Sequence, residues 1–300
     1  MTVAAAGAIG LAFALDAAAG EPPEPLHPVV HLGTAIDALD RDWTRPVLVG
    51  GLVAFAVPLV SAGLAACVVA GAATVGPLAE SVVAGVLLFT TVSLRRLRTV
   101  AETVVAETSS NPDRAADSVR ALVGRDTDAL DPAHLRSAAV ESVAENLADG
   151  LTGPVLAFAL GSVLSLPVAA GAATWVKAVD TLDSMLGYRE QPLGRASARL
   201  DDAAQWLPAR VAAVLLAVAA GRPTAVVAAR RWAREPDSPN SGWPMATMAV
   251  VLDSGLRKPD AYRLGPSRPL PDVTRARRGI RIATVAGLLA GGTAGVIAWC

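Results

Sequence analysis

Apolar and polar positions fall into long blocks along this chain. Residues 1–19 are almost all apolar, with one charge, Asp16. At 1.5 Å per residue the block just spans a hydrocarbon core of roughly 30 Å, which predicts a first membrane helix. Prolines at 22, 23, 25 and 28 break it, and an amphipathic stretch follows to Arg45. From Val47 to Leu94 the only charge is Glu80, and Gly76-Pro77 punctuates the middle, so two spans are predicted, 47–73 and 78–94. Arg95, Arg96 and Arg98 come next and mark a cytoplasmic edge by the positive-inside rule. Soluble-type helices are predicted over 99–108 and 113–123, separated by the Asn111-Pro112 turn. Gly124-Arg125-Asp126-Thr127 is a second turn, and Asp131-Pro132 starts the next helix with proline in its first turn.

Leu151–Trp175 is long enough to cross, but Gly153, Pro154, Gly161, Pro167 and Gly171 interrupt it, so it is either a span or a broken, re-entrant pair. Helical patterning resumes over 177–187 and 194–210, and 207–229 is again apolar. The turn-rich loop Ser238–Pro244 leads to a helix from Met245 to about Leu256, and 259–271 is expected to be loop. Arg275, Arg277, Arg278 and Arg281 form a basic collar on the last span, 282–299, whose Gly287, Gly291 and Gly295 have helix-packing spacing. Two cytoplasmic collars require an even number of crossings between them, so 151–175 and 207–229 both cross or both fail to cross. The pattern predicts an all-α integral membrane protein with about four to six hydrophobic segments. It is read as one membrane-embedded domain over 1–300, with polar segments at 95–150, 176–210 and 233–279.

Composition strengthens the membrane assignment: 53% of residues are hydrophobic and 18% charged, where soluble domains carry nearer a quarter. A formal net charge of −1 argues against nucleic acid as a partner, which calls for a basic surface. Cys67 and Cys300 offer no disulfide framework or thiolate metal site. The N-terminus has neither a charged start nor a small-residue cleavage site, so its apolar block reads as a retained helix.

The densest candidate chemistry lies at Glu141-Ser-Val-Ala-Glu-Asn-Leu-Ala-Asp-Gly150. At about 100° per residue, Glu141, Glu145 and Asp149 fall on one helical stripe with Asn146 beside it. Like charges at that spacing repel, and a divalent cation or an ammonium group would compensate them. The alternative is a stripe that simply faces water; the apolar segment that follows at once favours a role. His27 and His31 are four apart, but no Glu follows His27 and no third ligand is near, which argues against zinc. There is no Walker phosphate loop, no Gly-x-Gly-x-x-Gly after a strand and no Gly-x-Ser-x-Gly elbow. Carboxylates and arginines at a membrane face remain, an inventory suited to Mg²⁺-assisted phosphate chemistry.

Taken together, the polar blocks resemble the adenosylcobinamide-phosphate synthases of cobalamin biosynthesis, the CbiB family. The resemblance runs from about Leu15 to Gly265. It rests on Leu-Asp, Gly-Glu-Pro-Pro and His-Pro-Val near the start, on Val-Gly-Arg-Asp-Thr at 123–127, and on the acidic block at 140–150. It continues through Lys-Ala-Val-Asp-Thr-Leu-Asp-Ser-Met-Leu-Gly-Tyr at 177–188, Ala-Arg-Leu-Asp-Asp at 198–202, Pro-Ala-Arg at 208–210 and Ser-Pro-Asn-Ser-Gly-Trp-Pro at 238–244. Asp180 and Gln205 stand where the family is expected to carry Asn, and Glu235-Pro236 where a His commonly precedes the Ser-Pro-Asn block.

The resemblance implies ATP-dependent joining of a propionate carboxylate of adenosylcobyric acid to the amine of aminopropanol phosphate or ethanolamine phosphate. ATP and Mg²⁺ would be the cofactors, and the corrinoid a substrate. The carboxylate needs activation, the transferred phosphate needs cations, and the incoming ammonium must lose a proton. On this expectation Glu141, Glu145, Asn146 and Asp149 carry the catalysis, and Glu141, Glu145, Asp149, Asp201 and Asp202 hold the metal. Substrate and phosphate contacts fall to Arg125, Asp126, Lys177, Asp180, Asp183, Arg199, Arg210 and Asn240. The active face is expected to look into the cytoplasm from a multi-pass protein in the cell membrane. The rivals are a membrane prenyltransferase, whose Asn/Asp-Asp-x-x-Asp pattern the acidic stripe does not match, and a transporter, for which no inverted repeat is visible.

Overall fold

A computed structural model of the chain describes residues 2–120, 130–187 and 191–300. In chain order its helices are α1 (Thr2–Ala19), α2 (Pro28–Asp37), α3 (Pro46–Ala73), α4 (Pro77–Phe89), α5 (Leu94–Ser110), α6 (Pro112–Arg120), α7 (Pro132–Leu147), α8 (Gly153–Gly161), α9 (Leu166–Leu186), α10 (Arg195–Ala204), α11 (Trp206–Ala219), α12 (Ala225–Ala229), α13 (Gly242–Leu252) and α14 (Val273–Trp299). A π-helical turn, Ala148–Thr152, separates α7 from α8, and two short strands, β1 (Leu256–Lys258) and β2 (Tyr262–Leu264), form a hairpin. This is an all-α membrane protein. Pro46–Ala73, Pro77–Ser110 and Val273–Trp299 are long and apolar enough to cross a bilayer. The pair Arg195–Ala204 and Trp206–Ala219 passes that test only when taken together, and Val3–Ala19 and Gly242–Leu252 are shorter apolar helices.

On α3 the stripe Leu48, Leu52, Phe55 and Leu59 is 53–70% exposed, on a helix with no charged residue. In water such a stripe would be an aggregation surface; hydrocarbon accommodates it at no cost.

The described residues form two compact units, one of 1–93, 149–205 and 290–300, the other of 94–148 and 206–289. The first is built around α9, on which α2, α3, α4, α8 and α10 pack. This helix runs unbroken through the end of the apolar segment into the Lys177 motif, and Ser165 caps it by accepting the Val168 N–H at 3.3 Å. The nine residues of α8 cover only about 14 Å, so 151–175 is a broken pair and not one straight span. The break falls at Gly161, where a Cβ would lie 2.9 Å from Ala169 Cα; only glycine lets α8 turn back this closely onto α9. Ile36, Ala54, Leu182, Leu186 and Leu193 form the core beneath, and a Cβ at Gly50 would overlap the Leu193 carbonyl. On α14, Gly291 meets the Phe13 ring while Gly295 has open space beside it, so the fourfold glycine spacing is used at one contact and idle at another.

The second unit is built around α7, contacted by α5, α6, α13 and β1. It starts where expected: the Asp131 carboxylate accepts the N–H groups of Ala133 at 2.9 Å and His134 at 2.8 Å, and Pro132 fills the first turn. Two expectations are corrected in this unit. First, α13 ends at Leu252 instead of running to Leu256, because Asp253 turns left-handed at φ 55° and pairs with Arg268 at 2.7 Å. The Arg222 Nη1 completes that end by donating to the Val250 carbonyl at 3.0 Å. Second, a hairpin runs from the end of the expected helix into the expected loop, with Leu256 opposite Leu264 and Lys258 opposite Tyr262, turning at Asp260 with φ 59°. Strands of three residues are too short for a period of two to stand out in a sequence.

Candidate functional site

The first unit gathers the polar motifs of α9 and α10. Lys177 Nζ donates to Asp180 Oδ2 at 2.7 Å, and the two side chains are only 21% and 18% exposed. Burial alone would push the Lys177 ammonium toward neutrality. The Asp180 carboxylate, followed by Asp149 and Glu21, more than offsets this and holds its pKa above the ordinary lysine value. The same lysine lines an apolar cavity of about 660 Å³ between α2, α3, α4 and α9, with Val57, Leu64 and Thr174 among its walls. Its charged head meets Asp180 beside that apolar space.

One turn further along α9, Asp183 lies against Gly187, where any Cβ would collide with the carboxylate. Opposite, on α10, Asp201 is pushed up to about 8, first by burial and then by the charges of Asp180, Asp183 and Asp202. Near neutral pH Asp201 is therefore largely a neutral acid. Gln205, at the end of α10, is fully buried beside it.

The acidic stripe of α7 is divided between the units. Glu141, 3% exposed, belongs to the second: Oε1 accepts from Ser137 Oγ at 2.6 Å and Oε2 from the Tyr262 hydroxyl at 2.7 Å. The Ser137 Oγ in turn accepts the Arg257 N–H at 2.8 Å, so one carboxylate ties the middle of α7 to both strands of the hairpin. Glu145 is half-buried, and Asn146 is exposed and donates to the Ser142 carbonyl at 3.0 Å. Asp149 falls in the π turn and belongs to the first unit, where it acts on Lys177. The water-facing alternative fails for Glu141.

Arg210 also has structural partners. Its Nη1 donates to Asn240 Oδ1 at 2.5 Å and to the Trp206 carbonyl at 2.8 Å, its Nη2 to the Pro239 carbonyl at 3.2 Å, and its guanidinium lies over Trp206 and Trp243. It therefore organises the Ser-Pro-Asn-Ser-Gly-Trp-Pro loop, in which Asn240 is buried. Arg199 is exposed on α10, and Arg125 and Asp126 lie outside the described residues. His27 Nδ1 accepts the Val29 N–H at 3.2 Å and so caps α2. Among the described residues no group of three or more His, Cys, Asp or Glu is disposed to hold a metal ion. The five acids expected at a metal are thus not assembled into one cage. Magnesium commonly needs only one or two carboxylates when phosphate oxygens complete its shell.

Sequence reasoning missed Glu21, Ser137, Tyr262 and, as a member of the cluster, Gln205. Glu21 sits among turn-forming prolines, and Tyr262 lies 121 residues from Glu141, beyond any local pattern. Ser137 stands one turn before Glu141, a spacing that was readable.

A predominantly helical, multi-pass membrane protein with a buried lysine–carboxylate cluster is the class these features define. The family described as "CobD/Cbib protein" matches residues 9–289, and the chain belongs to that family. It is 35% identical over 268 residues to the "Probable cobalamin biosynthesis protein CobD" of Methanothrix thermoacetophila, covering 85% of this chain and 84% of the relative. It is 35% identical over 289 residues to the "Cobalamin biosynthesis protein CbiB" of Salmonella typhi, covering 91% and 88%, and 37% identical over 273 residues to the "Cobalamin biosynthesis protein CobD" of Geobacter metallireducens, covering 86% and 83%. No solved structure matches the chain.

Proposed function

We propose that this protein is an adenosylcobinamide-phosphate synthase, joining adenosylcobyric acid to an amino-alcohol phosphate as an amide at the expense of ATP. The family and its relatives' names support the coarser statement, a role as an enzyme of cobalamin biosynthesis. The observation that carries the finer one is the cluster of the first unit. There a charged lysine and several carboxylates, one of them largely neutral, lie within electrostatic reach of one another beside an apolar cavity. An amino-alcohol phosphate carries one cationic and one anionic end, and such a mixed cluster is complementary to both. On this reading Lys177 meets the phosphate, carboxylates meet the ammonium, and a group titrating near neutrality is at hand when the amine gives up its proton. With no three-carboxylate cage among the described residues, magnesium would arrive with the nucleotide, whose phosphates supply the missing ligands. The transporter alternative keeps only the broken pair of 151–175, and the family match favours the synthase over both alternatives.

The test uses the full chain in detergent with adenosylcobyric acid, ATP, magnesium and either aminopropanol phosphate or ethanolamine phosphate. Adenosylcobinamide phosphate, or with ethanolamine phosphate its analogue lacking one methyl group, should form, with ADP or AMP released only when both the acid and the amine are present. ATP turnover indifferent to the amine, or amide formed without ATP, would refute the assignment.

A further inference from the structure

The least explained polar groups of the first unit sit at the end of α10. Gln205 is 0% exposed, yet neither its Oε1 nor its Nε2 has a hydrogen-bond partner, and the buried Oδ1 of Asp201 is in the same condition. Gln205 lies beside the Asp201 carboxyl, one turn along, and slightly favours its ionised form without closing a hydrogen bond. An amide buried with both ends unsatisfied is costly and rare, and it marks a place where something else binds. The other charges acting on Asp201 are Asp180 and Asp183 from α9 and Asp202 from its own helix; α3, which also packs on α10, carries none. The groups that raise the Asp201 carboxyl are thus all acidic, an environment that an added cation would relieve.

We propose that Asp201 and Gln205 receive the primary ammonium of the amine substrate. This rests on the amide-forming function above and assigns its amine subsite to α10, not to the α7 stripe. Two features favour an ammonium over a metal ion. The N–H groups of an ammonium reach acceptors at about 2.8 Å, whereas magnesium requires oxygens at about 2.0–2.1 Å in near-octahedral array, and no such set is present among the described residues. The neighbouring turn of α9 already stabilises an ammonium, that of Lys177, through Asp180, and the same Asp180 acts on Asp201. Asp180 thus stands between a site for an incoming ammonium and a cation able to meet the phosphate end of the same small molecule. The Gln205 amide offers one acceptor to the ammonium and one donor to the ester oxygen beyond it.

The full chain in detergent is titrated calorimetrically with ethanolamine phosphate, without ATP or corrinoid, as wild type and as Asp201→Asn, Gln205→Leu and Gln205→Met. The KM of amide formation is measured for each substrate in parallel. Each substitution is expected to weaken amine binding about tenfold or more and to raise the amine KM to match, with the corrinoid KM unchanged. Gln205→Met, which keeps length and shape, should show the loss at an undiminished melting temperature. Amine binding and amine KM indifferent to all three substitutions overturn the subsite, as does a loss shared equally by the corrinoid. Magnesium chloride alone binding the wild type and not Gln205→Leu also overturns it. Amide formation by the wild type with an unresponsive amine KM removes the subsite alone. Amine binding without amide formation removes the enzyme assignment and leaves the subsite standing.

Discussion

A buried carboxylate has to be hydrogen-bonded, neutralised, or both, and Glu141 and Asp201 take different routes. Glu141 is bonded by two hydroxyls. Tyr262→Phe removes a hydrogen bond to a buried carboxyl and should cost about 1–3 kcal/mol of stability. Glu141→Gln, which keeps an acceptor for one hydroxyl and offers a donor to the other, should cost less than Glu141→Ala, which removes the acceptor of both. Thermal unfolding in detergent ranks the three. Asp201 is instead neutralised. An unfolded Asp titrates at 3.8 and this one at about 8, so between those values the folded chain binds a proton that the unfolded chain does not. Stability from this group is full below about 4 and is lost as pH rises toward about 8. Asp201→Asn, uncharged throughout, should flatten that fall and raise the melting temperature at about pH 8 relative to wild type. Amine affinity should move the other way, growing as pH rises toward about 8, because the ammonium prefers the ionised carboxyl. An amine KM that ignores pH between about 6 and 8 would separate Asp201 from amine binding. Of these contacts only the one between Ser137 and Glu141 was legible locally. The sequence places Asp201 two residues from Arg199, whereas the fold sets its carboxyl within reach of Asp180 and Asp183 and leaves Arg199 exposed.

At the level of elements, what could be read from the chain were the signals that act over one or two turns. Asp131-Pro132 starts α7 because cap and first turn are local chemistry. The glycines and prolines of 151–175 mark a real break for the same reason, and Gly221, with φ 66°, divides 207–229 in the same way. The hairpin escaped because its stability comes from α7, through Glu141 and Ser137, and not from its own few residues. The turn between α8 and α9 gives the clearest test. Gly161 faces backbone, Ala169 Cα and the Val168 carbonyl, which cannot move aside as a side chain would. Gly161→Val should therefore cost about 1–3 kcal/mol. Gly295→Val, with open space around it, should stay within about 0.5 kcal/mol of wild type. Equal melting temperatures for the two variants would show that α8 does not depend on this close approach.

For the molecule as a whole, the decisive question is which side of the membrane the α9 carboxylates face, since ATP is available only in the cytoplasm. The two arginine collars, 95–98 and 275–281, mark the same side under the positive-inside rule. Between them the apolar stretches 151–175 and 207–229 are both interrupted, and α8 and α12 are too short to cross alone, with nine and five residues. Paired failure to cross would keep the Lys177 segment with the collars. Single cysteines at Thr99, Ser184 and Thr274, all exposed, test this once the exposed Cys67 and Cys300 are replaced by alanine. All three should react with an impermeant maleimide in inside-out vesicles and none in intact cells. Ser184 adjoins Asp183, so its side is the side of the cluster. A Ser184 cysteine that reacts only from outside would put the lysine and its carboxylates where no ATP reaches them. The residues that activate the corrinoid acid would then have to be sought on the collars' own side, among the polar groups of α5 to α7.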